Sequence, residues 1–207
     1  MMKRSLTKIL NTTLCIAVVC GIFLFGGQTR NVAAQYRVEP QLLARAEQIT
    51  GDRFTVSTRT PRGALVYART KPRAEMLNAI DNGLSELFAV ARRHGYRTRL
   101  NYSDYTIFIA RPDRLKDSAG AYSPDIAVYA AQYAGSVYDQ GGYVYAAGMV
   151  IAYNPCALVI AEHERDMSRV SNVVRYEGEH LVLYYNDRSM YERTRDHSKG
   201  GGHPILQ

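Results

Sequence analysis

Four of the five histidines, His163, His180, His197 and His203, fall in the last 45 residues of a 207-residue chain. One of them closes the run Tyr176-Glu177-Gly178-Glu179-His180. Histidine is a common metal ligand and titrates near neutral pH, so such clustering points to a site. On a helix at about 100° per residue, Val170, Val174 and Leu181 share one line, with Val173 and Tyr184 on its flank. Glu177 falls inside that apolar stripe, where a carboxylate needs a cation, a metal or a proton. His180 borders the same face, and Tyr176 lies one turn before it. Glu179 projects to the opposite side and is expected in solvent.

These five residues resemble the H-E-x-x-H helix of zincin-like metallopeptidases. In that motif two histidines one turn apart hold zinc, and the glutamate between them activates the bound water. Glu177 and His180 match; Tyr176 stands where the first histidine would be. The resemblance takes in residues 100–207, where a Tyr/Gly/Ala-rich strand at 143–153 precedes the helix and histidine-bearing segments come after it. It implies a zincin-like α+β fold, a zinc cofactor and a peptide or protein substrate cleaved by metal-activated water. Glu177 would polarise the water. His180, His197 and His203 are the candidate ligands, since zinc asks for nitrogen or oxygen donors in a tetrahedron rather than in a fixed chain order. Tyr176 is a candidate phenolic donor or weak fourth ligand. The alternative is a catalytically inactive zincin-like protein that binds at the cell envelope through tyrosine-rich strands, with Glu177 and His180 as a buried ion pair.

Each of these residues also has an ordinary role to weigh. His197 suits the end of a short helix, where a cation favours the dipole. His203 comes after Gly200-Gly201-Gly202 and precedes Pro204 near the C-terminus. The glycines permit unusual backbone angles, and Pro204 then restricts the chain beyond them. Asp187 is placed to cap the next helix or to orient a histidine. His163, among charges, reads as a solvated junction. A second Glu-x-x-His is absent, which argues against a di-iron carboxylate site, and no Gly-x-Ser-x-Gly elbow occurs.

The apolar pattern gives the elements that must position these groups. A short helix is predicted over 40–49, with Pro40 at its first turn. Strands are expected at 54–60 and 64–69 around Pro61-Arg62-Gly63. Met76, Leu77, Ile80, Leu84, Leu87, Phe88 and Ala91 predict a long helix over 73–94, ended by Gly95. Further strands are expected at 105–110, 126–133, 143–153 and 157–161, with a loop at 113–124 and a turn at 139–142. Helices over 168–185 and 188–195 precede an irregular tail. The order predicts an α+β fold, a mixed sheet with packed helices.

Composition narrows the functional class. Lys3, Arg4 and Lys8 precede an apolar stretch from Leu14 to Phe25, and Asn31-Val32-Ala33-Ala34 ends in small residues. This is the layout of a secretory signal cleaved after Ala34, leaving a single domain over 35–207. It implies a secreted or periplasmic protein; membrane attachment through residues 9–27 is expected only if the segment stays uncleaved. Its removal takes four cations (Lys3, Arg4, Lys8, Arg30) and no acid, leaving 22 basic against 19 acidic side chains. Such a mild, mixed charge argues against a nucleic-acid partner. Cys15 and Cys20 leave with the signal, so Cys156 has no intrachain partner; within Cys156-Ala157-Leu158-Val159-Ile160 it reads as a buried structural residue.

Overall fold

The computed structural model describes residues 39–113, 125–129 and 143–207. The signal segment, the turn at 139–142 and the chain through 130–133 lie outside the described residues, as does most of the loop at 113–124. Among the described residues seven strands and four α-helices succeed one another: α1 (Pro40–Thr50), β1 (Val56–Arg59), β2 (Leu65–Ala68), α2 (Ala74–Arg93), β3 (Tyr105–Ala110), β4 (Ile126–Tyr129), β5 (Tyr143–Ala146), β6 (Gly148–Ala152), β7 (Cys156–Ala161), α3 (Met167–Asn186) and α4 (Arg188–Thr194). Among the described residues no helix is long and apolar enough to cross a membrane.

Five strands form a mixed sheet in the order β1-β2-β3-β7-β6. The central pairs, β2 with β3 and β3 with β7, are parallel, and the outer pairs are antiparallel. Every residue of β3 and of β7 is buried, as expected of central strands covered on both faces. Alternate residues serve the two layers. Val66, Ile107, Ile109, Leu158 and Ile160 meet α2 and α3, whereas Tyr67, Phe108, Ala157 and Val159 meet α1 and the small β4–β5 sheet. The fold is therefore α+β, with a mixed sheet and packed helices.

Two glycines let α2 and α3 approach closely. A Cβ at Gly83 would collide with the Ser171 carbonyl oxygen, and one at Gly178 would sit 2.6 Å from Leu87 Cδ2. Gly178, unfavourable in a helix interior by about 1 kcal/mol, is thus explained by its neighbour. Helix α2 ends at Gly95, in a left-handed conformation (φ 82°), with the Tyr96 amide returning to the Ala91 carbonyl. Asp166 caps α3 by accepting from the Arg169 amide at 2.8 Å.

The strand expected over 143–153 is broken. Ala147 separates β5 from β6, and the two belong to different sheets. Gly148 marks the break: any side chain there would press on Val173, on the Val159 carbonyl and on Glu177. Cys156 is fully buried, as its context predicts.

Candidate metal centre

The second half of α3 is covered on every side. Gly178, Glu179, His180, Leu181, Val182 and Leu183 are all buried. The extra cover comes from the C-terminal tail, whose Ile205 packs against Leu183 and Tyr191. Glu179 is therefore not in solvent but completely buried, contrary to the helical projection, which sees only one helix. Its Oε1 accepts the Ile205 amide at 2.8 Å, and its Oε2 lies 2.8 Å from His203 Nδ1. The run Leu181-Val182-Leu183 was the available signal, because a helix apolar all round is buried all round.

The tail reaches this position by a tight turn. Asp187 caps α4 through the Met190 amide at 2.9 Å. Helix α4 stops at Thr194, and His197 opens a 3-10 turn rather than closing the helix. Gly200 takes a left-handed conformation, with φ 81°. The Gly201 and Gly202 amides then bond back to the Asp196 and Thr194 carbonyls at 3.0 Å. A Cβ at Gly201 would strike both of those carbonyl oxygens. The glycine tract is what lets the chain fold back and set His203 beside α3.

His180, His197 and His203 come together. Their ring centroids form a triangle with sides of 5.2, 4.9 and 4.8 Å. One ligand-capable nitrogen from each lies within 4.8 Å of the others. Nitrogens bound to one zinc at ~2.0–2.1 Å in a tetrahedron stand roughly 3.3 Å apart, so closure needs only small ring movements. His180 is 8% exposed, and its Nδ1 is buried with no hydrogen-bond partner among the described residues. Burial, with the charges of His203 and His197, pushes its pKa from 6.5 down to about 3. Burial lowers His197 as well. Neutral imidazoles with free lone pairs are the form that binds a metal.

Glu177 lies half-buried beside this triangle. Desolvation raises its carboxyl from 4.5 to about 7, against the pull of His203 and a backbone hydrogen bond from Val150 of β6. Its Cγ would be 3.1 Å from a Cβ at Gly148, so it also touches the start of that edge strand. Tyr176 is the exposed member, 36% accessible, with its ring 4.7 Å from that of His203 and the Arg175 guanidinium 5.2 Å from its centroid. The position that holds a histidine in the zincin motif thus faces outward, over the cluster. His163 is half-buried at the end of β7, away from this group, with its Nε2 buried and without a hydrogen-bond partner among the described residues. A solvated junction does not describe it.

The arrangement offers three nitrogen donors from three separate places in the chain, a carboxyl that can give or take a proton near pH 7, and a phenol at the rim. That set can hold a divalent ion and act on its water. Comparison with known protein families, with curated proteins and with solved structures finds no match to this chain.

Proposed function

We propose that this chain is an exported zinc-dependent hydrolase of zincin type that cleaves peptide bonds. The observation that carries the reading is the convergence of His180, His197 and His203 next to a desolvated Glu177. Zinc, if held by the three imidazoles, would supply a Lewis acid and a water of lowered pKa. Glu177 takes the proton of the attacking water and delivers it to the leaving amine. Tyr176, at the rim, donates its phenolic hydrogen to the developing oxyanion. Strand β6 is an edge of the five-stranded sheet, and an extended peptide can pair along it. The basic and apolar N-terminus supports export as the setting.

The test is metal analysis of protein purified without a histidine tag, together with a protease assay of Glu177→Gln. One zinc per chain, with peptide hydrolysis lost in the variant while zinc is retained, is the expected result. Absence of stoichiometric zinc at neutral pH removes the proposal. Zinc without hydrolysis leaves a defunct zincin-like binding protein.

A further inference from the structure

Glu179 has no part in the chemistry above, yet it is the most deeply buried acid near the site. Its two oxygens are both used, one on His203 Nδ1 and one on the Ile205 amide, each at 2.8 Å. An amide can only donate, so the Glu179 oxygen facing Ile205 accepts. A carboxylate at the other oxygen asks His203 for a proton on Nδ1. That tautomer leaves the Nε2 lone pair free, on the ring edge away from Glu179. The two contacts also anchor the tail on both sides of Pro204, since His203 and Ile205 flank it.

We propose that Glu179 is a positioning residue that fixes His203 as the Nδ1-protonated tautomer and clamps the C-terminal tail, so that metal binding and tail docking form one equilibrium. The metal half of this inference rests on the zinc reading above. A carboxylate behind a ligating histidine holds the ring's orientation and raises its basicity, and its loss typically costs 10–100-fold in metal affinity. Here the same carboxylate also holds the backbone that carries the ligand. A tail that detaches therefore takes His203 with it, and zinc bound to His203 holds the tail down.

The experiment uses the full chain labelled with nitrogen-15. Two-bond proton–nitrogen correlation of the His203 ring in the metal-free protein reads the tautomer directly. Protonation on Nδ1 is expected; a ring protonated on Nε2 overturns the proposal without any variant being made. Glu179→Gln should then mix the tautomers, speed hydrogen exchange at the Ile205 amide and weaken zinc roughly 10–100-fold in competition with a chromophoric chelator. An unchanged tautomer, or unchanged zinc affinity in a variant of native circular dichroism, overturns it. If the wild type binds no zinc but shows the Nδ1 tautomer, lost in the variant, the clamp stands and the hydrolase reading falls.

Discussion

Helix α3 has two buried sides. Toward α2 and the sheet, Val170, Val174 and Leu181 pack among Leu84, Leu87, Ile107 and Leu158. Toward the tail, within the same turns, Glu179 and His180 are nearly as dry. The first side is apolar and closely fitted, down to glycines at Gly83 and Gly178 that admit no side chain without movement. Ionisable groups in this core are silenced: burial pushes the Cys156 thiol up to about 11 and raises the Tyr105 phenol as well. The second side keeps an imidazole with a lowered pKa and a nitrogen lacking a partner among the described residues, and at its border Glu177, against Gly148 of β6, has a raised one. Burial that costs stability and is left uncompensated is a mark of a functional site, whereas a core removes such groups. The difference separates a closely packed apolar side from one that keeps buried polar groups.

The largest expected effect separates the two sides. Leu84 is fully buried in the α2–α3 core. Leu84→Ala should lower unfolding free energy by about 2–5 kcal/mol, read from urea denaturation. Zinc affinity of the remaining folded protein should be unchanged. If affinity falls in step with stability, the two sides are not independent and the division fails.

The tail side should respond to metal instead. Free zinc at about a hundred times its dissociation constant adds about 2.7 kcal/mol to a fold that binds it only in the native state. The melting temperature of the wild type should rise accordingly and fall back with a chelator. In His203→Ala the rise should vanish, and the metal-free melting temperature should itself drop, because the buried Glu179 carboxylate loses one of its two partners. A rise of the same size in that variant removes His203 from the ligand set.

A smaller effect tests the fit between helices. Gly83→Ala gains helix propensity, about 1 kcal/mol, but drives a methyl into the Ser171 carbonyl and toward the Val174 Cβ at 3.0 Å. Backbone cannot yield as a flexible side chain does, so a net loss of about 1–2 kcal/mol is expected by urea denaturation. A stabilised variant would show that the helices have room to part.

These two sides are not equally legible in the sequence. Spacing alone reveals the apolar side: Val170, Val174 and Leu181 recur at helical intervals, and Glu177 stands out because it interrupts them. Helix periodicity is local, so it reports one helix against one surface. It carries no information about a tail that returns from 24 to 26 residues away to cover the opposite face, and for that reason it places Glu179 in solvent. The convergence of His197 and His203 on His180 depends on backbone angles at Gly200 and on two amide–carbonyl bonds, which residue types permit but do not dictate. The break between β5 and β6 is hidden for a related reason. The glycine beside it, Gly148, is fitted against Val173 and Glu177 on a helix later in the chain and against the Val159 carbonyl, neighbours that the strand's own pattern does not reveal.

The smallest effect in the wild type comes from titrations of opposite sign, and it exposes the site most directly. The protein is kept metal-free with chelator. The carboxyl of Glu177 is raised from 4.5 in the unfolded chain to about 7, so the native state holds the extra proton between those values. Its stability contribution therefore falls as pH rises from about 4.5 to 7. His180 is lowered from 6.5 to about 3, so in that interval the unfolded chain holds the extra proton. Its contribution rises with pH between about 3 and 6.5. Over the shared interval, pH 4.5 to 6.5, the Glu177 slope opposes that of His180, to which the lowered His197 adds in the same direction, so the wild type should rise less steeply than the histidines alone would make it. Glu177→Gln removes only the falling slope. Its urea midpoint should climb through the interval and level off above about pH 6.5. A variant that tracks the wild type at every pH would mean that Glu177 is solvated in the metal-free protein. The imidazole cluster would then have no desolvated acid at its border.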